Sequence, residues 1–212
     1  MKDVKKVKIM LFLAALSACV LVISNIAAVK LWNFFGIAVD GGIVLFPLSY
    51  IIGDLVVELY GKKLADYTVF IGFTINIVAV LTFIAVGALP EYPGWGGQDA
   101  YNMILSFTPR IVIGSLAGYL ASGLVNNFVF EKIQKTKLGG KYLFVRTLGS
   151  SVIARVFDIL LFDTIAFFGV LSFPEFVSQV AFAYAAGLVL EVILTPLTYL
   201  AVKGLKKYEI RD

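Results

Sequence analysis

The chain has 212 residues, of which 60% are hydrophobic and 15% charged, and its mean hydropathy of +0.93 lies far outside the range of a water-soluble globular domain. There is no histidine and one cysteine, Cys19, which excludes a Ser-His-Asp triad, a disulfide framework and an ordinary zinc site, so no catalytic residue, metal or cofactor is expected. The net charge of +4 does not point to nucleic acid, because the basic residues gather at the ends of apolar segments, where they act as topology signals for a chain whose partner is the lipid bilayer.

A basic start, Lys2, Lys5, Lys6 and Lys8, leads into an apolar run from Ile9 to Val29, about 31 Å long as a helix and so long enough to span. Further apolar segments follow at once, so it reads as a retained first helix and not as a cleaved secretory signal. Near its far end Ser24, Asn25 and Lys30 recur at near-helical spacing, placing an amide and a cation by the opening of whatever lies between the helices. Lys30 reads equally as an interfacial, snorkelling cation.

The second run, Gly41 to Gly61, sets Asp54 and Glu58 into apolar surroundings. Four residues apart, they share one helix face. A carboxylate at membrane depth costs about 2.5–3.5 kcal/mol on insertion scales and faces a protein interior or a wet cavity. Glu58 is about 4.5 Å from the Gly61 end and can also snorkel; Asp54 is about 10 Å deep. Gly61, Lys62 and Lys63 end this helix, and a third runs from about Asp66 to Ala88 with Asn76 as an interhelical amide.

Leu89 to Pro109, with Pro90, Pro93, Gly94, Gly96 and Gly97, is expected to be the longest external loop, its Trp95 and Tyr101 forming either an interfacial belt or a lid. The fourth helix, Arg110 to Phe130, carries Gly114, Gly118 and Ser122 on one face, a stripe that signals close helix packing. A basic surface loop follows to Arg146. The fifth helix, Thr147 to Gly169, is the most polar, with Ser150, Ser151, Arg155, Asp158 and Asp163. Ser151, Arg155 and Asp158 fall within about 60° of one another, which predicts an internal ion pair, either functional or simply neutralising. The last helix, about Val177 to Val202, holds Tyr184, a mid-membrane Glu191 and a kinking Pro196. Glu191 reads as a functional acid or as a counter-ion to Arg155.

With alternate connections placed inside and outside, every one of the 18 basic residues lies on the inner side except Lys30, Arg110 and the intramembrane Arg155. The positive-inside rule then predicts an all-α polytopic membrane protein, a single domain over residues 1–212, with six transmembrane helices and both termini cytoplasmic. Three plus three spans permit an inverted repeat in which the second and fifth helices correspond, an idea resting on charge placement alone.

The chain resembles the queuosine precursor transporter family, also called the vitamin uptake transporter or YhhQ-like family. The resemblance runs through SNIAAVK (Asn25, Lys30), LFPLSYIIGDLVVELYGKKLA (Phe46, Pro47, Asp54, Glu58, Tyr60, Gly61) and KYLFVRTLGSS (Lys141, Arg146, Thr147, Gly149, Ser150), then Asp158, the AFFG from Ala166 to Gly169, and EVILTPLTY (Glu191, Thr195, Pro196, Tyr199). It implies a non-enzymatic inner-membrane importer of a 7-deazaguanine: the 7-cyano or 7-aminomethyl precursor of queuosine, or queuine. The family's pattern carries an acidic or amide residue at the position of Arg155, a glutamate at Gly123 and a lysine at Gly187. The exchange between Arg155 and Gly187 reads as compensation on facing helices or as the mark of a different substrate.

A deazaguanine presents adjacent N–H donors that one carboxylate accepts side by side, and a flat face that aromatic side chains cover. The candidate substrate-binding residues are therefore Asp54, Asp158 and Glu191, with Asn25 for the carbonyl, Arg155 and Lys30 setting local charge, and Glu58 and Tyr184 beside them. Two readings from other classes stand alongside. One is a substrate-binding subunit that works with an ATPase module, as in energy-coupling-factor importers, for which Ala14 and Ala18 are spaced to meet a partner. The other is an intramembrane lipid enzyme with Asp54 and Asp158 as its carboxyl pair, for which no nucleophile-base spacing is present. A homo-oligomer is compatible with each.

Overall fold

In a bilayer every backbone N–H and C=O must be satisfied within the segment, so apolar runs of this length become helices. The structure is a computed structural model that describes residues 2–138 and 143–210. Gly139, Gly140 and Lys141 of the expected basic loop, and Arg211 in the tail, lie outside the described residues. Its helices are α1 (Lys2–Ala27), α2 (Phe46–Tyr60), α3 (Lys62–Gly87), α4 (Gln98–Leu105), α5 (Thr108–Gln134), α6 (Leu143–Phe167) and α7 (Phe173–Ile210). Among the described residues four helical stretches are long and apolar enough to cross a membrane: Val4–Ala27, Lys63–Gly87, Gln98–Ser122 and Phe173–Leu194. This is the composition of an α-helical membrane protein.

Three features differ from the expectation. The link after α1 is a β-hairpin of β1 (Leu31–Phe34) and β2 (Ile37–Asp40), turning at Phe35 and Gly36, whose φ values of 50° and 89° make the doubly left-handed turn that suits a two-residue hairpin. The second apolar segment opens as a 3-10 helix, Gly41–Leu45, before α2, which at 15 residues is only about 22 Å long. The loop expected from Leu89 to Pro109 contains α4, a helix that the flanking prolines and glycines obscure.

By chain contacts the molecule forms two compact units. The first contains residues 1–31, 40–108 and 189–212. Its core is Leu13 and Val20 of α1, Ile52, Leu55 and Val56 of α2, and Ala65 of α3, with Ala201 and Leu205 of α7 packed against it. Ile52, Leu55 and Val56 lie at the i, i+3, i+4 spacing of one helix face. Gly61, at φ 80°, takes the left-handed turn between α2 and α3. α4 is tied to the end of α3 by the Tyr101 hydroxyl, which donates to the Phe83 carbonyl at 3.1 Å, and by the Gln98 amide, which donates to Gly87 O at 3.1 Å.

The second unit contains residues 32–39 and 109–188. Here α5 and α6 approach so closely at the predicted glycine stripe that a Cβ added at Gly114 would lie 3.0 Å from the Phe162 carbonyl oxygen, and one at Gly118 2.8 Å from that of Asp158. The guanidinium of Arg110, at the start of α5, donates to the carbonyls of Ile165 and Phe168 at the end of α6. Large apolar side chains such as Phe12, Phe70, Val78 and Leu81 stay exposed. In lipid that is the expected outside of a membrane helix, because tails solvate leucine as well as leucine does.

Candidate functional site

In the first unit the polar residues collect where α1 meets the 3-10 helix and α3. Asn25 is buried, and its amide donates to Asn76 Oδ1 at 2.9 Å, while Asn76 donates to Gly72 O at 3.0 Å. The interhelical role read for Asn76 is thus shared by Asn25, whose N–H group is engaged between helices. Lys30 is exposed at the end of α1, and its carbonyl accepts the Gly41 N–H at 2.8 Å.

Asp40 escaped the sequence reading. It is 4% exposed and accepts the Gly42 N–H at 2.9 Å, an N-cap for the turn that opens the second apolar segment. Burial pushes its carboxyl up from 3.8 to about 6, against the backbone N–H groups of Gly42 and Ile43 that favour the charged form. The signal was an aspartate before two glycines at the head of an apolar run. Those glycines are required: a Cβ at Gly41 would lie 2.5 Å from Ala27 O, and one at Gly42 2.8 Å from the Asp40 carboxylate.

Asp54 and Glu58 stand one turn apart on α2. At 100° per residue their positions fall on the side of the helix away from Ile52, Leu55 and Val56. Their side chains, and that of Glu191 on α7, lie outside the described residues. The same holds for the Asn126 and Asn127 side chains on α5.

The second unit gathers the rest. Arg155 and Asp158, three residues apart on α6, interact electrostatically. Each is seated against a glycine on a neighbouring helix. A Cβ at Gly118 of α5 would meet the Asp158 carboxylate at 2.6 Å, and one at Gly187 of α7 would run into the guanidinium of Arg155. Gly118, read as a packing residue, therefore also makes room for a carboxylate, and Arg155 occupies the place of any side chain at position 187. Tyr184 is half-buried and its hydroxyl donates to Val152 O at 3.2 Å.

A further pair was not foreseen as a pair. Gln179 of α7 and Asp163 of α6 are both 1% exposed, and the Gln179 amide donates to Asp163 Oδ1 at 3.0 Å. Asp163 was visible only as one more acid on a polar helix, and no spacing rule connects it with position 179. Among the described residues no group of three Asp, Glu, Cys or His is placed to hold a metal ion.

Comparison with known proteins gives this arrangement its context. The chain is 27% identical over 184 residues to the "Probable queuosine precursor transporter" of Bacillus subtilis, covering 86% of this chain and 80% of the relative. It is 24% identical to the protein of the same name from Haemophilus influenzae, covering 81% and 77%. It is 23% identical to the "Queuosine precursor transporter" of Escherichia coli, covering 77% and 71%. No solved structure gives a match. The family profile described as "Putative vitamin uptake transporter" matches residues 40–201, a span that takes in Asp40, both glycine-seated charges of the second unit and every apolar helix after the first. The chain belongs to that vitamin uptake transporter family.

Proposed function

We propose that the protein imports a queuosine precursor, a 7-deazaguanine, across the cell membrane. The observation that carries this reading is Arg155 and Asp158, three residues apart on the most polar helix, each with a glycine opposite it that admits the charged group. A carboxylate in such a place accepts the two adjacent N–H donors of a guanine-like edge, and the guanidinium beside it sets the local charge. The relatives support it, being named as queuosine precursor transporters and not as enzymes.

Asp54 and Glu191 of the first unit are the further acids proposed to bind the substrate, with Glu58, Lys30 and Asn25 as additional groups there and Tyr184 in the second unit. The chain crosses the membrane six times with both termini in the cytoplasm, as the basic residues require. Which substituent the deazaguanine carries at position 7 is the finer question, and Arg155 facing Gly187 is where a substrate difference would be written.

The test is uptake of labelled 7-cyano- and 7-aminomethyl-7-deazaguanine and of queuine by cells that cannot make their own, with the wild type and Asp158→Asn side by side. Uptake of one of the three by the wild type, reduced at least about tenfold in the variant, is the expected result. Wild-type uptake unaffected by Asp158→Asn removes the carboxylate from the site, and uptake of none of the three removes the substrate class.

A further inference from the structure

Within the first unit a groove of about 590 Å³ runs between α1, α2 and the end of α7, a volume typical of a small-molecule site. Its lining is apolar along most of its length, with Phe12 and Leu16 of α1 and Ile52 of α2 on its walls, and Lys5 and Lys8 stand together at one end. From Lys5 to Leu16 the wall runs about 17 Å along α1. Half of a hydrocarbon core of about 30 Å is about 15 Å, so the groove matches the depth of one leaflet.

We propose that this groove is a binding site for one anionic phospholipid of the leaflet next to the N-terminus, its headgroup on Lys5 and Lys8 and an acyl chain along Phe12, Leu16 and Ile52. Charge complementarity selects the occupant. Two ammonium groups at the head of an apolar slot favour a ligand with net negative charge and a long tail, whereas a choline headgroup brings its own cation toward the lysines. A protein segment would need apolar length and acidic end together, and it would have to compete with lipid that already fills the surroundings. The site is independent of the substrate reading.

The geometry also supplies a clean variant. Gly204 lines the groove, and a Cβ there meets nothing within 4 Å, so Gly204→Leu fits the helix while filling the slot with its side chain. The experiment is native mass spectrometry of the purified full chain in mild detergent, with phosphatidylglycerol and phosphatidylcholine of identical acyl chains offered in competition. Wild type is expected to retain one phosphatidylglycerol in clear preference. Lys5→Gln with Lys8→Gln should erase that preference, by roughly fivefold per lysine. Gly204→Leu should lose both lipids while keeping the wild-type melting transition. Glycerol 3-phosphate, which has the headgroup's anion and no tail, should not displace the bound lipid. Equal retention of the two lipids by wild type, preference surviving the lysine changes, retention unchanged in Gly204→Leu, or displacement by glycerol 3-phosphate each overturns the proposal.

Discussion

At the scale of single residues, the two glycines facing charged side chains are not equivalent. A Cβ at Gly118 meets the Asp158 carboxylate at 2.6 Å and the Asp158 backbone carbonyl at 2.8 Å, and a backbone in a packed helix does not step aside. A Cβ at Gly187 meets the far end of a flexible arginine. Gly118→Ala should therefore cost stability by about 1–3 kcal/mol, as overpacking does, whereas Gly187→Ala should cost less stability and disturb transport through the displaced guanidinium. Chemical denaturation in detergent, compared with uptake for both variants, checks this; equal loss of stability would mean that the α5–α6 contact is looser than described. Asp40 makes a pH-dependent prediction. Its folded-state pKa of about 6 lies above the ordinary 3.8, so between those values the folded chain holds a proton that the unfolded chain releases. Stability then falls as pH rises through that window, and the full cost, on the order of 3 kcal/mol, is present above it. Asp40→Asn keeps an acceptor for the Gly42 N–H and has no such slope. Melting curves from pH 4 to 7 should show wild type losing ground to the variant up to about pH 6 and a constant gap beyond.

At the scale of elements, the Asn25–Asn76 hydrogen bond ties α1 to α3 in surroundings where no hydrophobic force drives helices together. Removing either amide leaves the other buried without it. A double-mutant cycle with Asn25→Ala and Asn76→Ala should give a coupling of about 0.6–1.7 kcal/mol, the range of such bonds between membrane helices; additivity would show that the pair is incidental. The long apolar helices were legible in the sequence because length and hydropathy alone decide them. The hairpin was not, since Leu31, Trp32, Phe34, Ile37 and Val39 look like more apolar chain, and only Phe35-Gly36 hints at a turn. Nor was α4, whose eight residues are too few to show a period between two clusters of helix breakers. Of the site, the placement of Arg155 and Asp158 within electrostatic reach of each other on α6 followed from spacing on one helix. The seat for Asp158 at Gly118 and the Gln179–Asp163 bond depend on which helix faces meet, which a single sequence does not encode in any local pattern; that Arg155 faces Gly187 was legible only through the family resemblance.

At the scale of the whole molecule, the proposed topology is open to direct labelling. In a Cys19→Ala background, a cysteine placed at Gly97 should react with a membrane-impermeant maleimide in intact cells, while one at Lys137 should react only after permeabilisation. The reverse pattern would invert the protein, and reaction at both would break the six-span count. Arg110 bears on how such a chain is made. Its guanidinium satisfies carbonyls 55 and 58 residues further along, so when α5 leaves the ribosome its partner has not yet been synthesised. Until those residues emerge, the start of α5 lacks the two hydrogen bonds that fix it against the end of α6. The α5–α6 pair should therefore settle as a unit: in a chain truncated before Leu143, already anchored by its earlier helices, the segment around Arg110 should be cleaved by protease more readily than in one extended past Phe168, and equal cleavage of the two would remove the idea.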